Sequence, residues 1–296
     1  MTTKDVPIPE GATIRRDPVE ADPDALTPVE RATLPDGHGH VWLKRDDAFM
    51  LGGSRGGKVR ACLTIVRDAL AHPDTAARAE RGLVTAGARE SPQVNIVATV
   101  GRHLGLPVRV HVPAGAMSPE TLAAAEKGAD VITHRPGYNT VIIARARKDA
   151  DERGWFEVPF GMEHSTNLDT NARQTLNLPV NGDGSLPRLV LPVGSGMTLA
   201  GLLWGLKEYD SWNRPVLGVR VGAFPLTRID RWAPPDWRDV VTLVESADDY
   251  HRPARAVLDG VLFDPHYEAK CVPFLEDGDV MWVTGRRATL EAHNGS

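Results

Sequence analysis

Short runs rich in Val, Ile and Leu recur along this chain: VWLK at 41–44, GLVTAG at 82–87, VRVHVP at 108–113, DVITH at 130–134, RLVLPVG at 188–194 and VLGVRV at 216–221. Longer amphipathic stretches separate them. Strand-length β-branched runs alternating with helix-length stretches predict a mainly parallel α/β sheet, because parallel neighbours need a crossover and a helix supplies it. Helix signals agree with this. Ser118-Pro119-Glu120 offers an N-cap, a proline for the first turn and an acid at the positive end of the dipole, and Gly128 offers a stop, so the spacing predicts a helix over 118–128. Two segments break the rhythm. The stretch to about Pro35, rich in Pro, Asp and Glu, reads as an extended lead-in, with regular structure starting near Val41. DRWAPPDWR at 230–238 reads as a loop, since adjacent prolines remove donors and clash with a helical path.

A length of 296 residues with 42% hydrophobic and 25% charged content is enough for about two domains and a core that needs no staples. The net charge of −5, with Lys and Arg scattered among acids, provides no basic stripe for a phosphate backbone, which argues against nucleic-acid binding. Cys62 and Cys271 stand far apart, without metal-type spacing, and read as reduced thiols of a cytoplasmic protein. The N-terminal MTTKDVPIPEG lacks the apolar centre of a secretion signal, and no apolar run is long enough to span a bilayer.

Two glycine-rich segments carry the chemical signal. In PVGSGMTLAGL at 192–202 an apolar strand runs into Gly194-Ser195-Gly196-Met197-Thr198 and then an apolar helix. Glycines there let the backbone wrap an anion, whose charge is stabilised by the open N–H groups and dipole of the helix start. The same pattern also suits a plain tight turn. In LGGSRGGKVR at 51–60, Gly52, Gly57 and Lys58 satisfy the spacing of a nucleotide P-loop, but the next residue must then be Ser or Thr to ligate magnesium, and it is Val59. RDDAFM before it reads as a poor buried strand. A lysine at a helix start, beside glycines, suits a Schiff base better, although most lysines are simply solvated.

TPVERA at 27–32, VWLKRDD at 41–47, GG…GKVR at 52–60 and GSGMTLAGL at 194–202, in that order, resemble the fold-type II pyridoxal-phosphate enzymes. SPQVNIVATVGRHLGL at 91–106 and LFDPHYEAK at 262–270 resemble, within that group, the 1-aminocyclopropane-1-carboxylate deaminases and D-cysteine desulfhydrases. The resemblance covers most of 27–285. It implies a tryptophan synthase β-like fold: two three-layer α/β/α domains, the larger from 1–60 and 164–296, the smaller from 61–163. It further implies a homodimer, pyridoxal 5′-phosphate as cofactor and a small amino acid or amine as substrate. Lys58 would form the Schiff base and shuttle the α-proton. Gly194, Ser195, Gly196, Met197 and Thr198 would grip the phosphate. Ser91, Gln93 and Tyr267 would meet the substrate, Ser91 and Tyr267 with catalytic roles. Glu268 would meet the pyridine nitrogen and keep it protonated, and Thr284 would join the cofactor site. For Ser91 helix capping is an equal reading, and for Glu268 a solvated helix carboxylate is the alternative. No metal is expected.

Four departures from the family pattern matter. Gly57 stands where Asn usually precedes the lysine, with extra residues at 54–56; Ser91-Pro92-Gln93 replaces Ser-Asn-Gln, leaving Asn95 or Ser54 as candidate donors to the ring oxygen; Thr284-Gly285-Arg286 replaces a glycine pair; and the 222–260 segment is short, with Tyr250 an unfavoured substitute for a missing tyrosine. The expected function is a lyase or deaminase acting at the α-carbon and releasing ammonia and a keto acid. Two alternatives stand beside it. VPFG…LPVGSGMTLAGLLWGL also resembles short pyridoxal-phosphate proteins of actinobacterial phages, which implies amine tailoring of a larger, nucleotide-like substrate; the other alternative is a catalytically inactive protein of this fold.

Overall fold

The computed structural model describes residues 19–20, 22–35, 37, 39–209, 212–222, 225–247 and 252–287. Tyr250 lies outside them.

Six strands drawn from both ends of the chain form one sheet, in the order Val241–Glu245, Val216–Arg220, Leu189–Val193, Val280–Val283, His40–Arg45, Val29–Thr33. All neighbours are parallel except the last pair. The central strands are apolar on both faces, as a parallel sheet covered by helices requires: every residue of Leu189–Val193 and of Val280–Val283 is buried. A second, wholly parallel sheet orders Asp130–His134, Val108–Pro113, Leu83–Ala86 and Phe156–Glu157. The chain is thus α/β, and each of the six short runs read from the sequence is a strand.

The expected helix over 118–128 spans Pro119–Glu126; the Ser118 side chain accepts the N–H of Thr121, and Gly128 turns the chain at φ +87°. Two expectations need correction. Regular structure starts before Val41, because Val29–Thr33 pairs antiparallel with His40–Arg45 as an edge strand. The helix Leu226–Trp232 extends into the expected loop at 230–238 and stops only at Ala233, whose extended backbone (φ −83°, ψ 163°) is what a residue before proline adopts.

The site is prepared by how two strands part. Leu189–Val193 is in register with Val280–Val283 over only Leu189 and Val190, so their carboxyl ends open into a crevice, the usual ligand position in an open parallel sheet. Beside it, Ser54–Gly56 pairs with Phe49–Leu51 on one side and with Gly285–Arg286 on the other. The additional residues at 54–56 are therefore a strand, and they lead directly into the helix Gly57–Ala71. That helix buries Val59, Cys62, Leu63 and Val66, one apolar face at helical spacing, against the core of the second sheet.

Candidate active site

Lys58 is the second residue of its helix, and the turn before it is fixed from two sides. Gly56 has φ +111°, and a Cβ there would collide with the Thr284 carbonyl and the Gly285 backbone. The N–H of Gly57 donates to that same carbonyl at 3.0 Å. Gly57 has no room for a side chain either, because its missing Cβ would overlap a carboxylate oxygen of Asp46. Asp46 is fully buried in a two-bond pair with Arg60, at 2.5 and 3.1 Å. Glycine before the lysine is thus the complement of this buried ion pair.

Lys58 lines a cavity at the crevice together with Gly194, Ser195, Gly196, Thr198, Tyr267, Glu268 and Thr284. Its amine has no hydrogen bond or ion pair among the described residues. Burial lowers its pKa to about 8, with help from Arg287 and Arg228, whereas Glu268 pulls the other way. Roughly a tenth of the amine is therefore neutral and nucleophilic at pH 7, and about half at pH 8, far more than for a solvated lysine. Lys44 is also depressed by burial, to about 7, but it donates to the Thr27 carbonyl and to Asn177 Oδ1, and does not line the cavity.

Opposite stands the glycine turn. Gly196 turns at φ +86° and gives the helix Met197–Glu208 no side-chain cap of its own; the Met197 N–H donates to Ser195 Oγ at 3.5 Å, and the N–H groups of the next two residues have no side-chain acceptor among the described residues. The Thr198 hydroxyl has no hydrogen-bond partner among the described residues. Met197, which the resemblance also placed at the phosphate, does not line the cavity; its side chain is buried in the core. Arg228 holds the turn by donating to the Ser195 carbonyl at 3.0 Å while paired with Glu163 at 2.9 Å, and adds a cation. Sequence reasoning missed it, as it did Asp46. The Tyr267 ring covers the turn so closely that a Cβ at Gly194 would lie 2.9 Å from its Cε1.

Glu268 closes the far wall. One carboxyl oxygen accepts both the N–H and the hydroxyl of Thr284; the other, Oε2, is buried without a partner. Burial raises its pKa to about 8, and the nearby Asp264 adds to the rise.

A family model described as "Pyridoxal-phosphate dependent enzyme" matches residues 22–259. The chain belongs to that family. The match ends before Glu268 and Thr284, which the fold nevertheless brings to the same cavity. Among curated proteins no sequence match was found. Among solved structures the chain is similar to a homologue of ACC deaminase (TM-score 0.70, 20% identity, 88% of this chain and 89% of that one). It is also similar to maize serine racemase (0.62, 15%, 90% and 90%) and to an L-serine ammonia-lyase from Rhizomucor miehei (0.63, 17%, 91% and 96%). At these identities the likeness is one of fold.

The cofactor of the family is pyridoxal 5′-phosphate, and the cavity fits it by its own chemistry. An uncapped helix start with a free hydroxyl suits a phosphate, an unpaired amine suits an aldehyde, and an orphaned buried carboxyl oxygen suits a ring nitrogen. Ser91 and Gln93 do not reach this cavity, which departs from the expectation that they meet substrate. Ser91 Oγ accepts the N–H of Gln93 at 3.3 Å, and the Gln93 amide is used up, donating to Thr85 Oγ1 and the Pro159 carbonyl and accepting from the Gly161 N–H. Of that loop, Pro92 lines the cavity. Asn95 bonds to Glu120 and Lys127, and Ser54 to Thr99, so neither candidate donor to the ring oxygen is placed there. Among the described residues no metal-binding cluster occurs, and no helix is long and apolar enough to cross a membrane.

Proposed function

We propose that this protein is a lyase or deaminase that works at the α-carbon of a small amino acid and releases ammonia and a keto acid. The observation that carries the reading is the orphaned Glu268 Oε2 in the same cavity as the unpaired Lys58 amine. When bound, pyridoxal phosphate supplies an electron sink for the pair left at the α-carbon. Glu268 holds a proton at the ring nitrogen, which sets the depth of that sink. Lys58, its pKa brought to about 8, takes and returns the α-proton near neutral pH. The helix start at Met197, with Thr198 and Arg228, anchors the phosphate, and Tyr267 over Gly194 shields the ring side of the cavity from water.

The division into a domain of 1–60 and 164–296 and another of 61–163 belongs to the same reading, as do a homodimeric assembly and a cytoplasmic location. It is supported by the cavity lining, which takes Pro92 and Ile96 from the middle segment and the remainder from the two ends. The test is a panel of small D- and L-amino acids added to the cofactor-loaded protein, with the visible spectrum, ammonia and keto acid followed together. Release of both products from at least one member supports the proposal. A spectral response with neither product would replace it by the amine-tailoring alternative.

A further inference from the structure

Arg55 and Arg286 are register partners in the antiparallel pair of Ser54–Gly56 with Gly285–Arg286, so their side chains emerge side by side on one face. Both are half-buried, and both line the Lys58 cavity. Like charges placed directly opposite each other destabilise a ladder. Neither guanidinium has a hydrogen bond or ion pair among the described residues. The acid facing Arg55 is Asp47, but its two oxygens are bonded to Arg45, at 2.7 and 2.8 Å. Arg55 is accordingly shifted below its ordinary pKa, by burial first and then by Arg286 and Arg45, against the pull of Asp47. A pair of buried-edge cations that repel each other across a strand, at the wall of an active cavity, is the arrangement an anion completes.

That anion has to come from the substrate. The phosphate has its own anchor at Gly194–Thr198 with Arg228. One carboxylate is satisfied by one bidentate guanidinium, so the two guanidiniums of Arg55 and Arg286 supply more charge than a single α-carboxylate neutralises, whereas Arg287 beside them is already paired with Asp264 at 3.3 Å. Resting on the proposed amino-acid chemistry, we infer that Arg55 and Arg286 form a subsite for a second acidic group, so that the substrate is an amino acid with a carboxylate or phosphoryl side chain.

The experiment titrates cofactor-loaded protein with aspartate, glutamate, O-phosphoserine, alanine and serine, reading the cofactor spectrum, for the wild type and for Arg55→Gln and Arg286→Gln. The expected result is a preference for acidic over neutral amino acids that drops roughly tenfold or more in either variant, and partial rescue by Arg55→Lys. Aspartate against O-phosphoserine distinguishes a carboxylate from a phosphoryl group. A wild type without acidic preference, or variants that lose affinity for alanine and aspartate equally, would overturn the inference; the latter would mean that the pair reads the α-carboxylate. A second measurement is independent of the cofactor chemistry: succinate, but not propionate, should raise the unfolding temperature of the wild type and not of Arg286→Gln. Failure of that shift sinks the subsite even if the amino-acid chemistry stands, and its success keeps the subsite even if that chemistry fails.

Discussion

Glu268→Gln in the cofactor-free protein separates a buried, functional carboxyl from a solvated one. The folded protein holds this proton up to about pH 8, while the unfolded chain releases it near 4.5. Folding therefore takes up a proton between those values, and stability falls as pH rises through that window. At about 1.4 kcal/mol per tenfold change in proton affinity, the loss is at most roughly 5 kcal/mol, or about 10 °C in unfolding temperature for a chain of this size. Glutamine keeps the acceptor for the Thr284 N–H and hydroxyl and places a neutral amide at Oε2, so the pH-dependent loss disappears. Thermal unfolding of both cofactor-free proteins from pH 5 to 8 is the assay. The expected curves meet near pH 5, and the variant is the more stable at pH 8. Parallel curves would refute the burial argument. In the loaded protein the same substitution should retain cofactor and slow α-proton exchange roughly tenfold or more, because the ring nitrogen loses the charge that keeps it protonated.

Thr198→Val removes a hydroxyl donor to a charged acceptor, worth about 1.5–3 kcal/mol, so equilibrium dialysis should show pyridoxal phosphate bound roughly ten- to a hundredfold more weakly, and equal affinity would remove Thr198 from the phosphate site. Gly57→Ala drives a Cβ into Asp46 and parts it from Arg60; chemical denaturation should register a loss of about 3–5 kcal/mol, as for other broken buried ion pairs, and an unchanged midpoint would show that the pair can yield.

Where local chemistry sets structure, the sequence is easy to read. VLGVRV and VRVHVP announce buried parallel strands through β-branching alone, and Ser118-Pro119-Glu120 announces a helix start, because each signal is complete within a few residues. Val29–Thr33 escapes because its two exposed positions and flanking prolines mask a strand that exists only through its pairing with His40–Arg45. The glycine turn and Lys58 are visible as motifs. Their meeting with Glu268, 210 positions downstream of Lys58 by the numbering, is a property of the sheet order. Asp46 reads from sequence as part of a poor strand; only the fold reveals that Arg60 pairs with it and that Gly57 makes way for it. Ser91 and Gln93 show what a motif leaves open, since they do not line the cavity and bond within their own surroundings. A side chain beside a helix start can turn inward to cap and brace its own loop, and the Gln93 amide does so with three partners.

In the proposed function Lys58 holds the cofactor. Incubation with pyridoxal phosphate from pH 6.5 to 9.5, borohydride reduction and peptide mass spectrometry test it directly. The expected result is a phosphopyridoxyl label on Lys58, with a labelling rate that rises through an inflection near pH 8 as the amine loses its proton, and loss of the label in Lys58→Ala. Label on Lys44 or another lysine, or label retained at the wild-type level in Lys58→Ala, would contradict it.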